Sequence, residues 1–168
     1  MKTKAEVIKI HNDWIVALTN GKYSQGTHFL KREEDTGAIS HCCLGVLCEI
    51  MNVSSDKTRA DKGKFDHVEF IWFFEGKEGI LPDSVVDDLG LVDSTYAYQS
   101  IMPSFTRLND EGASFNCIAN FIKDIVFNLE NCYYDKLTST FTFEAIESFK
   151  KEDEHLLGRD ERNSPAES

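Results

Sequence analysis

Long apolar runs are missing from this chain. No stretch approaches the roughly 18 consecutive apolar residues that cross a bilayer as a helix, so no membrane partner is expected. The first six residues lead into an amphipathic pattern, not the apolar centre of a secretory signal. Catalytic fingerprints are missing too. There is no phosphate-cradling G-x-x-x-x-G-K-[ST], no G-x-G-x-x-G and no H-E-x-x-H, so neither nucleotide hydrolysis nor dinucleotide chemistry has support and no cofactor is expected. Positive charge is scarce: 18 Lys and Arg face 29 Asp and Glu, for a net charge of −11. An acidic body repels phosphate backbones, which disfavours general nucleic-acid binding. No internal repeat is visible.

What is present is ordinary globular material. Hydrophobic residues make up 41% and charged residues 28%, which excludes collagen, low-complexity disorder and a disulfide-dense mini-scaffold. A chain of 168 residues suffices for one domain with a real core and is short for two. The charge is uneven. Residues 1–64 hold ten cations against eight anions, whereas residues 65–149 hold four against fifteen. Such a field favours solubility and fast association with a basic surface.

The pattern predicts a helix over residues 3–19, with Thr3 and Glu6 as a capping box and Val7, Ile10, Trp14, Ile15 and Leu18 as its apolar stripe. Residues 31–40 read as a charged loop. Residues 41–52 read as a buried helix capped by Ser40. Gly45 inside it costs about 1 kcal/mol relative to Ala, which marks either a close helix contact or a bulge. Residues 53–64 read as a loop, and 65–74, rich in aromatic and β-branched residues, as a strand. A short helix follows Leu81-Pro82 and ends at Gly90, followed by a loop holding Tyr96 and Tyr98. A second short helix spans 100–110. Ser114 caps the clearest helix, in which Phe115, Ile118, Ala119, Ile122, Val126 and Leu129 repeat at helical spacing. Residues 133–142 are ambiguous, and a last helix covers 143–151. The expected fold is α+β: one mostly helical domain over residues 1–149 with a small antiparallel sheet, then a flexible acidic tail over 150–168.

Five cysteines, an odd number, argue against a closed disulfide framework, and three lie in one apolar segment as small core hydrophobes. Cys42 and Cys43 also stand at a helix start, where a thiol turns nucleophilic. With His67 and Asp66 on or beside the following strand they form the candidate catalytic set of a cysteine hydrolase or acyltransferase. His41, Cys42, Cys43 and Cys48 contain no C-x-x-C pair, so no metal site is expected. Residues 108–119 resemble the opening of a helix-turn-helix, which makes a transcriptional regulator a further alternative. The following helix stays apolar, however, and carries one cation, Lys123, on its polar face.

Three stretches together carry a resemblance: WIVALTNGKYSQ at 14–25, CCLGVLC at 42–48 and LNDEGASFNCIA at 108–119. The chain resembles a family of uncharacterised small proteins of bacteriophages and prophages. The resemblance implies a phage origin and assigns no catalytic residue. The leading expectation is therefore an acidic binding protein of the host cytoplasm that engages a host protein or a small ligand, with counter-defence as its role. A homo-oligomer is compatible with it. The candidate contacts are the loop residues Tyr23, Gln25, Asn109 and Asp110, for which turn and cap chemistry is the competing explanation.

Overall fold

The computed structural model describes residues 1–61, 63, 65–97 and 104–160. It is a mixed α+β domain, mostly helical. The helices are α1 (Lys4–Thr19), α2 (Cys43–Ile50), α3 (Asp83–Leu89), α4 (Phe105–Asp110), α5 (Phe115–Glu130) and α6 (Phe143–Asp160). The strands are β1 (Lys31–Glu34), β2 (Ile39–His41), β3 (Ser55–Arg59) and β4 (Val68–Phe74). All strand pairings are antiparallel, in the order β2-β1-β4-β3. No described helix is long and apolar enough to cross a membrane.

The helix starts follow from local chemistry. Thr3 and Glu6 close the capping box of α1, and Ser114 Oγ accepts from Cys117 N to cap α5. These two helices make the most extensive pairing in the fold, as their apolar stripes require. Gly90 ends α3 at a left-handed φ of 68°, and a Cβ there would stand 2.5 Å from Ala145 Cβ. The missing side chain thus lets α6 approach the end of α3.

Gly45 meets a harder constraint. A Cβ at this position would lie 1.6 Å from the Leu30 carbonyl oxygen. The first turn of α2 therefore rests directly on the Leu30 backbone, within one chain. Trp14, fully buried, donates from Nε1 to the Cys43 carbonyl at 2.9 Å, which ties α1 to the same turn. Around Trp14 stand Tyr96 and Phe105, with ring centroids 5.6 and 5.5 Å away. His11 packs edge-on to Tyr96. Its Nδ1 lies 2.7 Å from the Val7 carbonyl, which can only accept, so Nδ1 carries the proton. Nε2 then accepts from the Tyr96 hydroxyl. Burial pushes His11 down to about 4, and the ring is neutral.

Several expectations need correction. Residues 31–40 are not a loop but the β1–β2 hairpin. Their charges hid the strand because each finds a partner: Lys31 pairs with Glu49, Glu33 with Lys57 and Arg32 with Glu34. The supposed loop at 53–64 contains β3, whose five residues are all exposed. A charged edge strand shows no apolar alternation because both its faces meet water. The cap of α2 is Cys42, not Ser40, because β2 continues to His41. The domain does not end at residue 149 with a flexible tail: α6 runs unbroken to Asp160, anchored by Asp153 on Lys4 and by Glu152 on the Lys4 backbone N–H. Tyr98, residues 100–103 of the expected second short helix and residues 161–168 lie outside the described residues.

Two measurements check this core. Gly45→Ala adds helix propensity yet overlaps backbone, so we expect a net loss of at least about 1–3 kcal/mol in urea unfolding. His11 resists a proton that the unfolded chain accepts. Its contribution is therefore complete above the ordinary value of 6.5 and is lost as pH falls towards 4. Wild-type stability should drop by about 3 kcal/mol across that window from this residue, and His11→Gln should remove that part of the slope.

Candidate binding surface

The start of α2 gathers most of the residues that the sequence singled out, and it uses them internally. Asn109, completely buried at the end of α4, accepts from Cys43 N at 3.2 Å and donates to the Gly26 carbonyl at 2.8 Å. Gln25 donates to Asn109 Oδ1 at 3.2 Å and to the Ala113 carbonyl at 2.8 Å. It also accepts from Phe115 N. Asp110 accepts from His28 N at 2.9 Å. These side chains sew the 25–28 loop to the turn between α4 and α5. Asn109 is therefore not an exposed contact. The polar groups of Gln25 and Asp110 are engaged at home as well, through partners 82 to 90 positions away in sequence rather than through local turn or cap bonds.

The thiols sit deeper. Cys42 and Cys43 are 3% and 0% exposed. Cys42 Sγ accepts from Gly45 N at 3.4 Å, and the Cys43 thiol donates to the Phe105 carbonyl at 3.5 Å. Burial pushes Cys42 up to about 11 and raises Cys43 and Cys48 strongly. Desolvation of the thiolate outweighs the helix N-terminus that would favour it. His67 points elsewhere. Its side chain is 84% exposed, and Nδ1 faces Asp35 at 3.6 Å. With Asp66 it lines an open hollow of about 360 Å³ bounded by Asp35, Phe65, Val68 and Glu69. The structure does not assemble a Cys–His pair from these residues. Among the described residues, no three His, Cys, Asp or Glu side chains converge as a metal set.

The fourth candidate, Tyr23, leads to a cluster that sequence reasoning missed. Its ring meets the His41 ring edge-on at 5.1 Å. Directly opposed residues on antiparallel strands share a face. The register Lys31↔His41 and Lys57↔Trp72, with Lys31 Nζ 4.6 Å from the Trp72 ring centre, builds one row across all four strands. A second row runs Ile39, Glu33, Phe70, Arg59. Lys57 Nζ stands 4.0 Å from the Phe70 ring centre and 4.8 Å from that of Trp72. Trp72 is thus flanked by two ammonium groups, each contact contributing about 0.5–1 kcal/mol at a partly exposed site.

Electrostatically the face is balanced. Glu49, reaching from α2, bonds Lys31 at 2.8 Å, and Glu33 bonds Lys57 at 2.7 Å. His41 and then Lys31 hold the Glu49 carboxyl down to about 2, overcoming its partial burial. His41 itself is 6% exposed. Its Nε2 lies 3.5 Å from Glu49, an ion-pair separation outside hydrogen-bond geometry, and neither ring nitrogen has a hydrogen-bond partner. Towards the second row the face opens, with Ile39 43% exposed and the Arg59 side chain 66%. Half-exposed aromatics among paired charges suit recognition of another molecule. The sequence did hold a signal: Lys57 with Arg59 and Phe70 with Trp72 are spaced by two, the period of one strand face.

Thiol accessibility is the direct check. Native alkylation followed by peptide mass spectrometry should label Cys117 and Cys132, the two exposed cysteines, and leave Cys42, Cys43 and Cys48 unlabelled until unfolding. Cys132 should react more slowly than Cys117, because its bond to Asp153 holds the thiol above its ordinary value.

No curated protein and no solved structure matches the chain. One family model does, over residues 6–126, a span that takes in most of α1, all of α2 to α4, most of α5 and the whole sheet. The chain therefore belongs to the DUF8296 family, a domain of unknown function.

Proposed function

We propose that this chain is a binding protein that engages a host protein through the sheet face centred on Phe70 and Trp72. The observation that supports it is the pair of cross-strand rows. They place two aromatics, two cations over those rings and the exposed Arg59 on one surface. Tryptophan and arginine are residue types that dominate binding energies at interfaces, and this patch holds one of each. The sealed state of the α2 thiols supports a binding role over a cysteine hydrolase. The resemblance to small phage and prophage proteins supports the host cytoplasm as the setting and counter-defence as the role.

The partner's chemistry follows from the face. Every cation named above already has a carboxylate beside it: Lys31 has Glu49, Lys57 has Glu33, and Arg59 has Glu69 at 3.8 Å. A bare polyanion would find that charge spoken for. A protein surface with an apolar centre and its own mixed charges can dock on the rings and exchange ion pairs at the rim.

The test compares immobilised wild-type protein with Trp72→Ala and Arg59→Glu in host lysate. Arg59→Glu changes an exposed edge residue and should leave the fold intact. We expect a host protein retained by the wild type and weakened by about tenfold or more in both variants. Equal retention by all three proteins overturns the assignment of this face. A metabolite that co-purifies in native mass spectrometry and is lost in the same variants would replace the protein partner with a small ligand.

A further inference from the structure

Three side chains from distant parts of the chain meet in one cluster. Lys4 opens α1, Cys132 follows the end of α5, and Asp153 lies in the middle of α6. Lys4 is 9% exposed, and its ammonium pairs with Asp153 Oδ1. The Cys132 thiol donates to Asp153 Oδ2 at 2.9 Å. Lys4 Nζ and Cys132 Sγ stand 4.0 Å apart. One carboxylate therefore holds an amine and a thiol side by side. Cys132 adopts a left-handed φ of 59°, a conformation in which glycine is the ordinary choice. The residue is also exposed, so an oxidant reaches the sulfur while the amine stays fixed.

We propose that this cluster is an oxidative modification site, at which dioxygen joins Lys4 to Cys132 through a covalent N–O–S bridge. The chemistry balances. The neutral amine and the thiol react with one dioxygen to give the bridge and one water. An N–H, the S–H and the O–O bond break; N–O and O–S bonds form; the second oxygen leaves as water with the two hydrogens. Nitrogen and sulfur each lose two electrons, and dioxygen gains the four. Asp153 holds both reacting groups in place; the ammonium's extra proton leaves to solvent, and the thiol hydrogen ends in the water formed. The bridge is shorter than the present separation, and the flexible lysine stem takes up the difference. Once formed, it ties α1 to the end of α5 and closes a loop over most of the chain, which restricts the unfolded state much as a disulfide does. Cys132 and Asp153 lie outside the 6–126 span of the family match. The site is independent of the sheet face and of any partner bound there.

The experiment exposes the reduced full-length chain to air-saturated or anaerobic buffer and maps its peptides by mass spectrometry. The expected product links the Lys4 and Cys132 peptides with a gain of one oxygen and a loss of two hydrogens. It should form only with dioxygen, revert with dithiothreitol, and be absent from Cys132→Ser and from Lys4→Arg. Asp153→Ala, which removes the group that holds amine and thiol side by side, should lower the yield of the linked product by about tenfold or more. The oxidised wild type should melt at a higher temperature than the reduced form, and Cys132→Ser should show no such difference. Three results overturn the proposal. They are a folded wild type that keeps both groups free or takes Cys132 to sulfinic acid, a direct S–N link that lacks the oxygen, and equal linkage in urea or at Cys117.

Discussion

The first turn of α2 lies on the backbone of Leu30, and this contact organises the molecule. Only a residue without a side chain allows it, because a Cβ at Gly45 would overlap the Leu30 carbonyl. With the helix so close, its N-terminal N–H groups cannot reach water and need partners inside the protein. They find them in the Cys42 sulfur, in the Phe29 and Leu30 carbonyls and in Asn109. Trp14 adds a further tie by donating to the Cys43 carbonyl. One close approach thereby obliges α1, the 25–30 segment and the turn after α4 to converge on the same place.

That convergence decides the fate of the cysteines. A thiol at a helix start can become a nucleophile when solvent and a base can reach it. Here the same packing that seats α2 removes both, and desolvation dominates. The helix start is used for architecture, and the accessible chemistry lies elsewhere. The sheet presents Phe70 and Trp72 between paired charges, and Lys4, Cys132 and Asp153 share one small polar cluster.

Charge was the least informative guide at the level of single elements. Lys31, Arg32, Glu33 and Glu34 look like a solvated loop in sequence, and so does the 55–59 segment. Both are strands, because most of these charges find counter-charges, Lys57 with Glu33 and Arg59 with Glu69 across the sheet, Lys31 with Glu49 on α2, and β4 brings the apolar surface they need. The 150–160 segment likewise looks too polar to hold a structure. It remains helical because Phe149 is anchored in the core and Asp153 reaches Lys4 from the opposite end of the chain.

Local rules of the sequence were enough to determine α1, α3, α5 and β4. Their caps, glycine stops and apolar periods act over a few residues and do not depend on the rest of the fold. The burial of the 42–48 segment and the absence of a membrane-spanning run belong to the same class. Tertiary structure alone decided that Gly45 meets Leu30 within one chain, and that Asn109 and Gln25 bond inward. It also decided that Trp72 stands between lysines of two strands, and that Cys132 lies beside Lys4. Each of these depends on residues 15 to 128 positions apart in sequence. Contacts over such distances are set by how apolar faces close on one another, and no local pattern encodes that closure.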